Sequence, residues 1–361
     1  MERNRMGYKF CSLMHLLAWV IIFPACHQEE EGIDMPMYEQ SDVPISFSMA
    51  TWESRQAELD KYPELGDPSK EGFNIDDKIG VFSYYLKGGY EAQISNLVPN
   101  FMYNQKVTYT GLNWDYSPIK YWSNNQSDKF RFCAYYPYND PTLSLSSNRQ
   151  QGLPTLTYTM ANDKTAGKVD LLYADEMGQK MSVDNSLLLN FKHLLGKIQF
   201  HVSITSDNGE KHPEDGCEPY RALIQAVKFK VNWKGSFDYK LTNNKPDWTI
   251  LNGETRDFLQ LTVNPAGELI SNEKIDNDGN GRLLGSRIVH DFTAFLLPVT
   301  IDEFEITVNN MTTKHSVSNV QVKAGMVTTI NVTINALTGD PKFYATFSRW
   351  EEGGDLNYDL Q

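Results

Sequence analysis

The chain has little of what catalytic and nucleic-acid-binding proteins need. Four cysteines in 361 residues are too few for a disulfide framework, and no CxxC pair is present to hold zinc. No glycine-rich loop of the phosphate-cradling kind occurs. Positive charge is in deficit: 33 Lys and Arg against 46 Asp and Glu give a formal net charge of −13. Binding a phosphate backbone takes a basic face, so this balance excludes nucleic acid as a partner. The histidines form no catalytic set. His193 and His201 flank a glycine and His290 adjoins Asp291, with no nucleophile at a recognised spacing. The chain is therefore read as non-enzymatic and without a cofactor. No long segment carries a 3.6-residue apolar period, which argues against helix.

What is there favours strands. Aromatics make up 12% of the residues, with 19 Tyr and 18 Phe, and these side chains suit a pleated, half-buried surface. Short alternating runs recur between Gly, Pro, Asn and Asp clusters. In the first half they are Ile45–Met49, Ile79–Tyr85, Val107–Tyr109, Tyr121–Trp122, Phe130–Tyr136, Leu156–Tyr158 and Asp170–Ala174. In the second they are Ile224–Asn232, Gly235–Lys240, Phe258–Val263, Thr293–Pro298, Glu303–Asn309 and Met326–Ile334. Between them Leu187–Ile204 holds two alternating strands joined near His193 and Gly196. A chain of this length exceeds one usual domain, so Leu187–Ile204 is read as a seam between two β-sandwiches.

The fold class expected is all-β, with boundaries at 43–194 for the N-terminal sandwich and 195–338 for the C-terminal one. A tail over 339–361 carries a further strand, Lys342–Trp350. Its aromatics could complete the second sandwich, or its unpaired N–H and C=O groups could be offered to another chain.

The N-terminus is an export signal rather than fold. Arg3, Arg5 and Lys9 precede the apolar run Phe10–Pro24, and Ala25 stands before Cys26. A small residue followed by Cys at the end of the apolar core resembles the lipobox of bacterial lipoproteins, which implies a signal peptide over 1–25 and lipid attachment at Cys26. Residues 26–42 then read as a tether, with Glu29, Glu30 and Glu31 resembling an acidic surface-export tag. The remaining cysteines, Cys133 in a strand and Cys217 in a polar loop, are read as two free thiols.

Several stretches, in order, resemble the fimbrillin, or Mfa-like, family of type V pilus subunits from Gram-negative gut and oral anaerobes. They are Asp77–Phe82 (DKIGVF), Lys120–Trp122 (KYW), Phe132–Pro137 (FCAYYP), Asp170–Ala174 (DLLYA) and Phe191–Leu194 followed by Lys197–Phe200. The resemblance implies two transthyretin-like sandwiches in tandem and a lipoprotein held in the outer membrane at the cell surface. It implies an Arg-specific maturation protease, cutting here after Arg55, that removes the first strand, Ile45–Met49. A C-terminal strand of a neighbouring pilin subunit then fills the groove, with Phe343, Ala345, Phe347 and Trp350 as the donor residues here. The product would be a fimbrium serving adhesion to a host or bacterial surface ligand.

Two features suggest other chemistry. Asp276–Gly281 (DNDGNG) matches the start of a calcium loop, but Arg287 stands at the twelfth position where a bidentate carboxylate belongs, so the stretch is read as a surface turn and no metal is assigned. Trp114, Trp122 and Trp248 could stack on sugar rings, which supports an alternative: a monomeric surface lipoprotein that binds glycans.

Overall fold

The structure, a computed structural model, describes residues 37–50, 72–163, 165–181, 186–205, 221–222, 224–242, 245–261, 270–271, 287–308, 311–335, 341–349 and 355–358. Among them there is no α-helix; two short 3-10 turns lie at Lys87–Gly89 and Glu91–Asn96. The first half supplies β1 (Gln40–Pro44), β2 (Ser46–Ala50), β3 (Lys78–Leu86), β4 (Met102–Tyr109), β5 (Trp114–Asp115), β6 (Tyr121–Ser123) and β7 (Lys129–Tyr136). It continues with β8 (Leu143–Leu145), β9 (Leu156–Thr159), β10 (Leu172–Gln179), β11 (Ser186–Asn190) and β12 (Lys192–His193). The second half begins with β13 (Gly196–Thr205), β14 (Arg221–Ala222), β15 (Ile224–Val231), β16 (Lys234–Thr242), β17 (Lys245–Ile250), β18 (Arg256–Leu261) and β19 (Ile270–Ser271). Then come β20 (Arg287–Leu296), β21 (Val299–Val308), β22 (Met311–Val322), β23 (Met326–Asn335), β24 (Pro341–Arg349) and β25 (Asp355–Tyr358).

The N-terminal half is built on a six-stranded antiparallel sheet, β12-β10-β7-β3-β4-β5. Alternate side chains of its strands enter two different cores. Ile79, Val81, Phe132 and Ala134 pack with Ile45, Phe47, Leu187 and Leu189 beneath the ribbons β1–β6 and β2–β11. Phe82, Cys133, Tyr135 and Tyr173 point the other way, into a core shared with the second half. An antiparallel sheet usually keeps one face wet and then alternates cleanly. Here both faces are covered, so every residue of β3 after Lys78 is buried. Gly80 is part of that packing: a Cβ there would lie 2.1 Å from the Tyr135 ring.

The second half pairs a five-stranded sheet, β20-β13-β23-β24-β25, with a four-stranded one, β18-β15-β21-β22. The Phe200, Phe229 and Phe304 rings meet between them at 5.3–5.8 Å. Strand β21 alternates as its sequence suggests, with Ile301, Phe304 and Ile306 buried and a register shift between Ile301 and Glu303 absorbing the extra residue.

A fourth sheet crosses the expected boundary at 194/195. Its order is β17-β16-β9-β8, so it takes two strands from each half. Other bonds tie the same seam. The Leu194 N–H donates to the Leu171 carbonyl at 2.7 Å, and Trp248 Nε1 donates to the Leu194 carbonyl at 2.7 Å. The Tyr239 hydroxyl donates to the Ala134 carbonyl. At Gly196 the chain runs so close to Val322 and Lys323 that a Cβ would sit 2.5 and 2.6 Å from their atoms, one of them backbone. That close approach is what the seam glycine permits.

Candidate functional site

The segment Tyr38–Ala50 changes partner halfway along. Strand β1 pairs antiparallel with β6, Gln40 opposite Ser123 and Pro44 opposite Tyr121. At Ile45 the chain turns from that ribbon, and β2 pairs parallel with β11, from Ser46 opposite Ser186 to Ala50 opposite Asn190. The expected first strand, Ile45–Met49, is thus present. Its start differs from expectation, since β1 begins at Gln40, inside the stretch read as a tether, and Ser41 is buried.

Alternation sends Ile45 and Phe47 inward; they are 2% and 6% exposed. Burying two such side chains stabilises the fold by roughly 3–6 kcal/mol. The Phe47 ring meets Tyr116 edge-on at 5.3 Å and Phe132 at 6.1 Å. Tyr116 also latches the crossover. Its hydroxyl donates to the Ile45 carbonyl at 2.8 Å, beside the 2.8 Å bond from the Ile45 N–H to the Lys120 carbonyl. Burial pushes the Tyr116 phenol up to about 12, against the opposing hydrogen bond at Lys120. Further along, the Asn124 N–H donates to the Glu39 carbonyl at 2.8 Å and the Tyr38 hydroxyl to the Tyr121 carbonyl at 2.9 Å.

Removing Tyr38–Ala50 would leave a slot with β6 on one side and β11 on the other. Both strands would then present unpaired backbone groups, which are costly unless water or another strand satisfies them. The floor is aromatic: Phe101, Trp122, Phe130 and Phe132 are each at most 2% exposed. Ser83 Oγ and Trp122 Nε1 are buried there without a hydrogen-bond partner. Ser83 lies opposite Phe132 in the ladder, and the Trp122 ring meets Phe132 at 6.1 Å.

The rim of the slot far from the seam is fixed by a buried carboxylate. Asp128 accepts bonds from the Tyr85 and Ser123 hydroxyls, both at 2.7 Å, and from the Gly88 N–H at 3.0 Å. Burial pushes its pKa up, but these bonds and the Lys87 charge outweigh that and hold the carboxyl below its ordinary value. Neither Tyr116 nor Asp128 is signalled in the sequence, because each acts through partners that only the fold brings near.

Of the residues singled out from sequence, Cys26, Arg55, Cys217 and Trp350 lie outside the described residues, as does the Asp276–Gly281 loop. Phe343, Ala345 and Phe347 fall on β24, opposite Val332, Ile330 and Thr328 of β23. Strand β24 is an interior strand, with β23 on one side and β25 on the other. His193 is 1% exposed, its Nδ1 3.0 Å from Asp170 Oδ1. Cys133 is a buried free thiol, raised well above its ordinary value by burial and then by the Asp175 charge. Among the described residues no group of three or more His, Cys, Asp or Glu is placed to hold a metal. Trp114, Trp122 and Trp248 are 9%, 2% and 9% exposed, so none presents a ring face for a sugar, which removes the observation behind the glycan-binding alternative.

Comparison with known proteins adds three findings. A family model described as Fimbrillin-like matches residues 69–350. The fimbrium subunit Fim1C of Phocaeicola vulgatus is 33% identical over 87 residues, which cover 22% of this chain and 23% of that protein. The matched stretch thus spans about a quarter of that curated relative. The crystal structure of a fimbrial protein from Bacteroides vulgatus superposes with a TM-score of 0.53 at 18% identity, covering 85% of this chain and 99% of the other, a likeness of fold.

Proposed function

The chain belongs to the Fimbrillin-like family, and from that premise we propose that it is a structural or tip-associated subunit of cell-surface fimbriae. It is exported as a lipoprotein, attached through Cys26 to the outer membrane, and built as two transthyretin-like sandwiches in tandem. An Arg-specific protease cuts after Arg55. The freed N-terminal strand then leaves, and a strand from another pilin subunit replaces it. The product serves adhesion.

The observation that carries this reading is the placement of β1 and β2. They are the segment just ahead of Arg55, they fill a slot between β6 and β11, and they supply Ile45 and Phe47 to the core. Excision there takes two of the four strands that cover one face of the six-stranded sheet, while the opposite face stays covered. N-terminal sequencing of protein extracted from the cell surface tests it. Sequence beginning at Gln56 is the expected result; acylated Cys26 as the sole terminus would refute processing.

A further inference from the structure

Strand β22 runs for 12 residues along the edge of the four-stranded sheet, with β21 on one side and no strand on the other among the described residues. An open edge presents a row of unpaired N–H and C=O groups, and proteins usually blunt it. The other edges of the larger sheets are shorter or interrupted. Strands β5, β12, β8 and β25 have two to four residues and β18 has six. Strand β17 carries Pro246, and the Phe295 N–H of β20 donates to the Gly167 carbonyl at 2.7 Å. On β22 the regular part is Met311–Ser316, paired residue for residue with Glu303–Val308. Only beyond it does the ladder shift, where Val317–Asn319 stand against Asp302 alone.

The turn sets which way the free groups point. Two residues separate Val308 from Met311, so that closing pair exchanges backbone bonds and the pairs alternate from there. Thr312, Lys314 and Ser316 therefore aim their N–H and C=O away from β21. The Thr307–Thr312 hydroxyl contact at 2.9 Å fits a non-hydrogen-bonded pair, in which side chains lie closer. The lysine that would guard this edge is already committed: Lys314 Nζ lies 3.0 Å from Glu303 and 3.9 Å from Glu305. Further across the same face Lys228 pairs with Asp257 and Glu305, and Lys230 with Asp257. Lysines and carboxylates thus balance on this face. In a chain of net charge −13, such a face lets a second acidic copy approach without repulsion.

We propose that β22 is a sheet-extension surface on which a second copy of this chain docks side by side, antiparallel through its own β22, with the two-fold axis at Thr313. Side chains choose that register. An axis at Lys314 would set Lys against Lys, which is unfavourable, and an axis at His315 would run the pairing into the shifted stretch 317–319. An axis at Thr313 brings Thr312 of each copy opposite Lys314 of the other, closing N–H to carbonyl bonds on both sides of the axis. It sets Thr313 against Thr313, a favourable cross-strand pair. It also lays Met311, 59% exposed, against His315 of the other copy, a sulfur–ring contact. The two four-stranded sheets then become one.

Sedimentation velocity of the full, uncut chain over a concentration series tests the pairing. Cleavage at Arg55 is not required, so ladders of strand-exchanged subunits on unboiled gels play no part in the readout. The wild type is expected to pass from monomer to dimer as concentration rises. Thr312→Pro removes an outward N–H from each copy without touching the bonds to β21, and it is expected to weaken the dimer about tenfold or more. Thr313→Lys sets like charges across the axis, and a weakening of about fivefold is expected. Both variants should melt within a few degrees of wild type. Thr313→Cys is an independent arm. A non-hydrogen-bonded antiparallel pair holds its Cα atoms about 4.5 Å apart, within disulfide range. Oxidation should therefore yield a peptide linked 313 to 313 by mass spectrometry, whereas Ser318→Cys should yield no 318–318 link. A wild type that stays monomeric, a dimer unchanged by Thr312→Pro, or an oxidised Thr313→Cys dimer without the 313–313 link would overturn the proposal.

Discussion

Phe47→Ala separates the resident strand from the slot it fills. The side chain is 6% exposed and meets the Tyr116 and Phe132 rings edge-on. Burial of a Phe contributes about 2–3 kcal/mol, and each such ring pair adds about 0.5–1.5 kcal/mol. The floor beneath is rigid aromatic packing, so the cavity would collapse only in part. The expected loss is therefore about 3–5 kcal/mol, within the usual range for Phe→Ala in a core. For a unit of this size each kcal/mol moves the melting point by about 2–4 °C, so a fall on the order of 10 °C is expected in the uncut chain. Calorimetry with urea titration measures both quantities. After Arg-specific cleavage the same substitution should speed loss of the N-terminal fragment, and it should leave the stability of assembled ladders unchanged because Phe47 has gone. A loss below about 1 kcal/mol in the uncut chain would contradict the packing on which a Phe→Ala core loss rests. Weakened ladders would mean that the strand is never replaced.

Tyr116→Phe removes the hydroxyl that donates to the Ile45 carbonyl; a loss of about 1 kcal/mol is expected in urea titration, together with faster hydrogen exchange over residues 45–50. Asp128→Asn should cost about 2 kcal/mol at neutral pH, since it weakens hydrogen bonds to a buried charge. Because its folded-state value is depressed, Asp128 contributes fully above about pH 4 and the contribution is lost as pH falls through the folded value; the Asn variant should lose that part of the acid dependence in a pH series of melts. Gly196→Ala puts a Cβ against Val322 and the Lys323 carbonyl and should cost about 1–3 kcal/mol, whereas Gly253→Ala, with nothing within 4 Å, should be silent. Wild-type calorimetry should show one transition with matching calorimetric and van't Hoff enthalpies; two resolved transitions would contradict the shared seam core.

Strands whose one face is wet were legible, and strands covered on both faces were legible only in part. Ile45–Met49 and Phe304–Thr307 alternate in sequence and do so in the structure, because one side of each is buried and the other is less so. Lys78–Leu86 is buried on both sides, so its alternation is lost and only its apolar length marks it. Strand β1 reads as a polar tether because Gln40, Asp42 and Pro44 face solvent; its partner β6 lies some eighty residues away in sequence. Strand β22 was missed for a related reason. Met311–Ser316 is polar and largely exposed at a sheet edge, where no apolar face is required. The sheet formed by β16, β17, β8 and β9 was not visible, since non-local pairing leaves no period in either segment.

If β1 and β2 are replaced as proposed, that sheet is what keeps the body stable. Taking β1 and β2 away uncovers the Phe130 and Phe132 side of the six-stranded sheet. If that sheet had only one covered face, losing the layer would dissolve the core. Its other face carries Phe82, Cys133, Tyr135 and Tyr173, which pack with Phe237, Tyr239 and Trp248 from the second half. The Tyr173–Phe237 and Phe237–Tyr239 ring contacts, at 5.1 and 5.2 Å, hold that layer in place. The Arg131–Asp175 pair, bonded at 2.8 and 2.6 Å, clamps β7 to β10 on the same side. The C-terminal half therefore does two jobs for the N-terminal one. It pairs strands across the 194/195 boundary, and it covers the face that would stay buried if β1 and β2 were removed as proposed. A chain cut at 194/195 into separate halves should accordingly lose the N-terminal fold, even though every strand that borders the slot lies within residues 1–194.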